Sequence, residues 1–133
     1  MLRFCAALAV AVAVFVTPVH TAVAFPDFQK AFIAKYVSDD ATEYKELVTK
    51  QAKCYICHQG KKKKNKNVYG ELLDELLDKK DRKDIDKIMA ALAEVGEKST
   101  VEGDEESGTY AELIADGKLP VDLETAKKEP DEL

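Results

Sequence analysis

The sequence contains no tryptophan, and residues that bind soft metals or haem iron are scarce: three cysteines, two histidines and two methionines in 133 residues. One of each kind, Cys5, His20 and Met1, lies within the first 24 residues. If that segment is removed, two cysteines, one histidine and one methionine remain. Structural zinc sites take four cysteine or histidine ligands, so this composition disfavours a zinc protein.

Long apolar runs are also scarce, and the longest covers residues 4–16. Arg3 precedes this run, and Ala22-Val23-Ala24 follows it as a small-x-small cleavage pattern. Such a run is typical of a secretory signal peptide and is too short to span a bilayer. We therefore expect residues 1–24 to be a signal peptide cleaved near Ala24. The mature protein would be periplasmic or secreted in a bacterium, without stable membrane insertion; the alternative is an uncleaved membrane anchor.

The most specific pattern in the chain is Cys54-Tyr55-Ile56-Cys57-His58, a C-x-x-C-H motif. This spacing is typical of a c-type haem attachment site. Two thiols at this separation can form thioethers with the two vinyl groups of one porphyrin, and the following imidazole can bind the iron. The motif predicts one covalent haem c, held by Cys54 and Cys57, with His58 as the proximal iron ligand. In these five residues the chain resembles the c-type cytochromes.

Two other interpretations of the cysteine pair remain open. In an exported protein a C-x-x-C pair can form a disulfide or act as a redox-active dithiol without haem. It can also supply half of a zinc site, although no second, distant pair is present here. A thioredoxin-like dithiol would favour a βαβ context, whereas a lysine-rich loop and helical patterns follow Cys57.

Apolar residues recur at helical spacing through the rest of the chain, which favours an all-α fold. We expect one small cytochrome c-like domain over residues 25–120, with about five short helices around the haem, and an exposed C-terminal tail over residues 121–133. The helices are expected near residues 27–37, 40–53, 69–77, 85–96 and 110–116.

Local signals mark several of the expected helix ends. Asp40 with Glu43 and Thr109 with Glu112 have the spacing of a capping box. Gly96 is expected to cap the C-terminus of the fourth helix, because glycine is favoured just past a helix end.

Further segments extend the resemblance to a group of small secreted bacterial cytochrome c-like proteins. These segments are Gly60 with the basic run after it, Asn67-Val68-Tyr69-Gly70, and residues 111–120. A helix before the motif is also a feature of class I cytochromes c. The resemblance implies haem binding and electron transfer rather than enzyme activity. The chain departs from class I members in lacking both a Gly-Pro-Asn-Leu type segment and a clear loop methionine.

The sixth iron ligand depends on one residue. His58 is the only histidine after residue 24, so two histidines of one chain cannot both bind the iron. Met89 is the only methionine there, and it is the candidate distal ligand. Its place on a helical apolar stripe fits core packing equally well. The site would then be open, or hold water or a lysine amine, and an open site would suit a ligand sensor or weak peroxidase.

Charge is unevenly distributed along the sequence. The whole chain carries −5, and loss of Arg3 makes the mature chain −6. Residues 47–70 contain seven lysines and no acidic residue, which leaves a strongly acidic remainder. Such asymmetry can steer association, so we expect an acidic redox partner to dock near Lys61 and Lys66. The alternative is a solvated loop that offsets haem propionates. An exported, acidic protein makes nucleic acid a poor partner.

Overall fold

The computed structural model describes residues 26–104 and 106–132. The expected signal peptide, with its cleavage position at Ala24, lies outside the described residues. Within them the chain is mostly helical, which confirms the all-α prediction at this coarse level. The described ranges contain no helix that is both long enough and apolar enough to cross a membrane.

The helices and strands are short and follow one another closely. The helices are α1 Pro26–Tyr36, α2 Thr42–Glu46, α3 Val68–Asp74, α4 Ile85–Gly96, α5 Tyr110–Ala115 and α6 Leu123–Lys127. After α2 the chain continues through a π-helical section, Leu47–Ala52, and a 3₁₀ turn, Lys53–Ile56. Strands β1, His58–Gln59, and β2, Asn65–Lys66, form an antiparallel pair with His58 opposite Lys66. Two more 3₁₀ turns are Lys79–Lys83 and Pro130–Glu132.

Helix α4 forms the centre of the core, with α1, α3 and α5 packed against it. Its buried residues lie at three- and four-residue spacing, so one face of the helix is apolar. Tyr69 of α3 is fully buried beside it. The Tyr69 ring lies edge-on to Phe32, with 6.2 Å between centroids, and 5.1 Å from the ring of Tyr110. These aromatic contacts join α1, α3 and α5 over the central helix.

The helices expected from apolar periodicity are present, but two predicted caps are wrong. Helix α2 begins at Thr42 after Ala41, whose side chain makes no capping bond, so Asp40 and Glu43 form no capping box. Gly96 is the last residue of α4 and is buried. A Cβ there would lie 2.6 Å from the Tyr36 hydroxyl. Gly96 therefore makes room for α1 and does not cap α4. The capping box of Thr109 with Glu112 is confirmed.

The C-terminal end also differs from the expectation of an exposed tail over residues 121–133. Helix α6 lies in this stretch, and Ala126 on it is fully buried. Asp122 caps the helix by accepting a hydrogen bond from the Thr125 N–H at 3.0 Å. The helix packs against β1 and the 3₁₀ turn Lys53–Ile56. The apolar pattern of a five-residue helix is too short to be distinguished from a loop.

Asp81 is a buried acidic residue that joins the Lys79–Lys83 turn to α4. Its Oδ2 accepts hydrogen bonds from the Asp78 N–H at 2.8 Å and from Lys87 Nζ at 2.6 Å. The hydrogen bond from Lys87, followed by that from the Asp78 backbone, lowers the pKa of Asp81 below its ordinary value of 3.8. The ionised carboxylate is therefore the form that stabilises the fold.

Asp81→Asn should lower the free energy of unfolding most clearly at neutral pH. A carboxyl whose pKa is lowered by folding contributes stability above pH 3.8, and this contribution is lost as the pH falls through the lower folded-state pKa. The difference between wild type and variant should therefore shrink in acid. Chemical denaturation from pH 2 to pH 7 measures it, with the exposed Asp86→Asn as control. An Asp81→Asn deficit that is constant with pH would contradict this account.

Candidate haem-attachment site

The five motif residues lie where the helical segment of residues 42–56 ends. Cys54 is in the 3₁₀ turn, and the Cys57 N–H donates to the Cys54 carbonyl at 3.2 Å. Both cysteines are free thiols and are half-buried. Burial, followed by the nearby Cys54 thiol, raises the pKa of Cys57 to about 12. The turn thus presents two thiols three residues apart, and the Cys57 thiol is held in its protonated form.

His58 follows at the start of β1 and is half-buried. Its Nδ1 lies 3.2 Å from the carbonyl oxygen of Asn65, which lies beside its pairing partner on β2. Because a carbonyl only accepts hydrogen bonds, this contact places the proton of the neutral ring on Nδ1, so Nε2 is the nitrogen that carries the lone pair. The Lys63 backbone also interacts with the ring. Burial lowers the pKa of His58, which favours the neutral ring. Metal-binding histidines commonly donate their other ring N–H to a backbone carbonyl in this way.

Two residues of the segment Asn67-Val68-Tyr69-Gly70, to which the sequence assigns no individual role, hold the motif from one side. Asn67 lies at the start of α3 and bonds the backbone of the turn that carries the cysteines. Gly70, one turn into α3, lies against that turn, and a Cβ at this position would overlap the carbonyl oxygen of Cys57. A glycine inside a helical pattern often marks a close approach of backbones, and this signal was present in the sequence.

Gln59, also missed, holds the motif from the other side. It is buried, and its Nε2 donates to the carbonyl oxygens of Thr125 at 2.7 Å and Lys128 at 2.8 Å. The Gly60 N–H donates to the Ala126 carbonyl at 2.9 Å. The C-terminal helix α6 is therefore part of the structure that supports the motif. No short-range pattern links Gln59 to residues 125–128, so this contact could not be predicted from the sequence.

Met89 lies on a different part of the fold from the three motif residues. It is half-buried on α4 and packs against the core. The helix that carries it packs mainly against α1, α3, α5 and the Lys79–Lys83 turn, whereas the motif packs mainly against α6 and residues 47–52. Its assignment as distal ligand stays a prediction.

The lysine run forms the loop between β1 and β2, directly after His58. Lys61, Lys62 and Lys64 are exposed, and within the described ranges none of them forms an ion pair. Lys63 places its Nζ 5.0 Å from the centroid of the Tyr55 ring, a cation–π contact. Lys66 pairs with Asp74 at 2.6 Å. The loop therefore presents positive charge beside the motif.

Two buried tyrosine hydroxyls in the core near the motif have no hydrogen-bond partner among the described residues, those of Tyr44 and Tyr69. The Tyr36 hydroxyl is close to Tyr69, but it donates to the Leu92 carbonyl at 2.6 Å. Burial raises the pKa of Tyr69, and the Cys57 thiol acts in the same direction. An unpartnered buried hydroxyl costs about 1–3 kcal/mol, so a polar group reaching this region would find two available hydroxyls.

The donor set is compatible with a c-type haem. Cys54 and Cys57 could hold the porphyrin edge, and His58 could hold the iron through Nε2. Two hollows of about 500 and 300 Å³ lie elsewhere, around Asp78 and around Ser107. The candidate site is therefore defined by its donor atoms and not by these hollows.

Comparison with known proteins finds no relative of the chain. No family model, no curated protein and no solved structure matches the chain.

The residue before Cys54 has a strained backbone. Lys53 has φ 50° and ψ −114°, a conformation that residues other than glycine rarely adopt. It is the first residue of the 3₁₀ turn that carries the first thiol, and it directly follows the π-helical section. This backbone conformation redirects the chain just before the motif.

Lys53→Gly should raise the free energy of unfolding by about 1 kcal/mol, because glycine adopts positive φ without steric cost. Lys50→Gly, three residues earlier in the helical segment, should lower it by about 1 kcal/mol. Denaturant unfolding of both variants measures the two changes. Equal destabilisation by both substitutions would contradict the strained conformation at Lys53.

Proposed function

We propose that the chain is an exported c-type cytochrome that carries one covalent haem and transfers electrons. The observation that carries the proposal is the state of His58. Its Nδ1 lies 3.2 Å from the Asn65 carbonyl oxygen, so Nε2 is the nitrogen that could bind iron, directly after two half-buried thiols. A C-x-x-C-H sequence with this histidine geometry has the donors that haem attachment requires.

Each motif residue has a separate role in this proposal. The thiols of Cys54 and Cys57 would bind the porphyrin covalently, and His58 Nε2 would bind its iron. When bound, the haem supplies a reversible one-electron couple. The Asn65 carbonyl orients the His58 ring and increases its basicity through the hydrogen bond to Nδ1. An electron carrier of this kind needs no catalytic residue.

The position of the motif at the end of a helix weighs against a haem-free dithiol. Redox-active cysteines have lowered pKa values, and a helix N-terminus is one environment that lowers them. Here the cysteines follow a helical segment, where the negative end of the helix dipole disfavours a thiolate. The pair is therefore better suited to a covalent link than to thiol exchange.

The placement of Met89 favours a second candidate function. Because the helix that carries it packs mainly away from the motif, the sixth iron position could lack a protein ligand. The protein would then bind small molecules at the iron and act as a sensor or weak peroxidase. Only His58 is available as histidine after residue 24, so no second histidine could assist peroxide chemistry.

The lysine loop provides a docking surface in this proposal. Lys61, Lys62 and Lys64 are exposed and adjacent to the motif, where an electron would enter or leave. Clustered positive charge attracts acidic proteins and increases their association rate, with strong salt dependence. An acidic redox partner in the periplasm is therefore the partner that this surface fits.

Expression of the full chain in a host that matures c-type cytochromes should give covalent haem that denaturation does not remove. Cys57→Ser should reduce attachment, whereas Cys5→Ser should leave it unchanged, because Cys5 lies in the expected signal peptide. Mass spectrometry of the purified chain measures attachment. Absence of haem on the wild type, while a control cytochrome is matured, would overturn the proposal.

The optical spectrum of that protein separates the two candidate functions. A low-spin spectrum that carbon monoxide does not change would support a six-coordinate electron carrier. In that case the spectrum of Met89→Ala should shift when carbon monoxide is added. A high-spin spectrum that shifts with carbon monoxide would support the open-site alternative and assign Met89 to core packing.

Replacing Lys61, Lys62 and Lys64 with glutamine should slow oxidation of the reduced protein by ferricyanide, an anionic oxidant, by roughly tenfold at low salt. The effect should fall as ionic strength rises, because salt screens exposed charges. Stopped-flow rates over a salt series measure both. The matched control replaces Lys79, Lys80 and Lys83, which are exposed in the Lys79–Lys83 turn. Equal slowing by both triple variants would contradict a specific role of the lysine loop in attracting the oxidant.

A further inference from the structure

Asn67 is buried between the 3₁₀ turn that carries Cys54 and the start of α3, with 3% of its surface exposed. Its Nδ2 donates to the carbonyl oxygens of Tyr55 at 2.9 Å and Ile56 at 3.2 Å. Its backbone N–H donates to the Cys57 carbonyl at 3.1 Å. Its Oδ1 accepts from the Gly70 N–H at 2.9 Å. One residue therefore joins two segments through four hydrogen bonds.

These bonds satisfy backbone groups that a helix leaves without partners at its ends. The last carbonyls of a helix lack intrahelical donors, and the first N–H groups lack acceptors. Asn67 supplies donors to three consecutive carbonyls, those of residues 55, 56 and 57, and an acceptor to the first turn of α3. The shape of the turn between Cys54 and Cys57 is thus fixed from outside the motif.

Asparagine is the residue whose side chain can make these contacts at this length. It offers an amide with two donors and a carbonyl acceptor. Aspartate keeps the helix cap but places a carboxylate against the carbonyls of Tyr55 and Ile56. Serine also keeps the cap, but it has one short donor. Asp and Ser therefore preserve the capping of α3 while they remove the two side-chain bonds to the carbonyls of Tyr55 and Ile56. The backbone bond to the Cys57 carbonyl remains.

We propose that Asn67 is a positioning residue for haem attachment, which holds the backbone between Cys54 and Cys57 in place before the porphyrin is bound. The inference rests on the proposed function. Asn67 acts through the backbone of the turn, since its bonds go to carbonyl groups and not to the thiols. Gly70 allows this arrangement by letting α3 lie against Cys57.

The test compares Asn67→Asp and Asn67→Ser with Gln51→Glu, a matched control. Gln51 is exposed in the π-helical section, three residues before Cys54. Gln51→Glu is also an amide-to-carboxylate change and introduces the same charge. Circular dichroism and thermal unfolding of each haem-free chain first establish that it folds. If Asn67→Asp does not fold, Asn67→Ser carries the test.

Two measurements on the folded chains test the positioning role of Asn67. Hydrogen exchange on the haem-free protein should be about tenfold faster or more over residues 54–58 in the Asn67 variants, because buried hydrogen bonds are lost. The yield of covalent haem per folded chain, measured in the maturing host, should fall by about tenfold or more. Gln51→Glu should match the wild type in both.

Each outcome has a separate meaning. Unchanged exchange over residues 54–58 would overturn the claim that Asn67 holds the turn. Faster exchange with an undiminished haem yield would overturn the positioning role while leaving the proposed function intact. A wild type that takes up no haem would overturn the proposed function, and the positioning role would fall with it. Loss of yield in Gln51→Glu as well would show an effect of charge and overturn the assignment to Asn67.

Discussion

The fold around the motif depends on how the end of one helical segment satisfies its backbone carbonyls. Residues 42–56 end in a 3₁₀ turn, and the carbonyls there cannot bond within the segment. Asn67 supplies their donors, and the same residue begins α3. Because these groups are removed from water, leaving them unpaired would cost about 1–3 kcal/mol each. The position of α3, and of Tyr69 on it, follows from this junction.

The motif is also held from its C-terminal side, where a different element supplies the acceptors. Gln59 donates to carbonyls at the end of α6, and Gly60 donates to Ala126. His58 therefore lies between Cys57, whose carbonyl accepts from the Asn67 N–H, and the buried Gln59, which donates to residues 125 and 128. In the proposed function, this arrangement gives the proposed iron ligand a defined backbone. The C-terminal helix α6 therefore supports the backbone of the candidate site.

The basic and acidic residues of the molecule lie in different environments. Lys61, Lys62 and Lys64 of the loop between β1 and β2 are exposed. Several acidic residues elsewhere are paired or serve as caps, as Asp81 and Glu112 do. The strained backbone at Lys53 and the π-helical section before it both lie next to the thiols. Such features concentrate at functional sites, where surrounding structure holds them.

The amino-acid sequence by itself determined the helical class and most of the helices, because apolar residues at three- and four-residue spacing need only their own segment to form one face. It also determined the capping box of Thr109 and Glu112, which is a contact over three residues. The C-x-x-C-H motif predicts its chemistry for the same reason, since its donors are consecutive in the chain.

Only the tertiary structure decided the roles of Asn67, Gln59 and Gly96. Each acts on a partner at least ten residues away, and helical periodicity carries no information about such distant contacts. Gly96 has the sequence signature of a cap, but it is needed for space beside Tyr36. The residues 121–133 contain too short an apolar pattern to predict α6, which is stabilised by its contacts with β1. The local motif therefore predicts the candidate site, whereas long-range hydrogen bonds and close packing determine its structure.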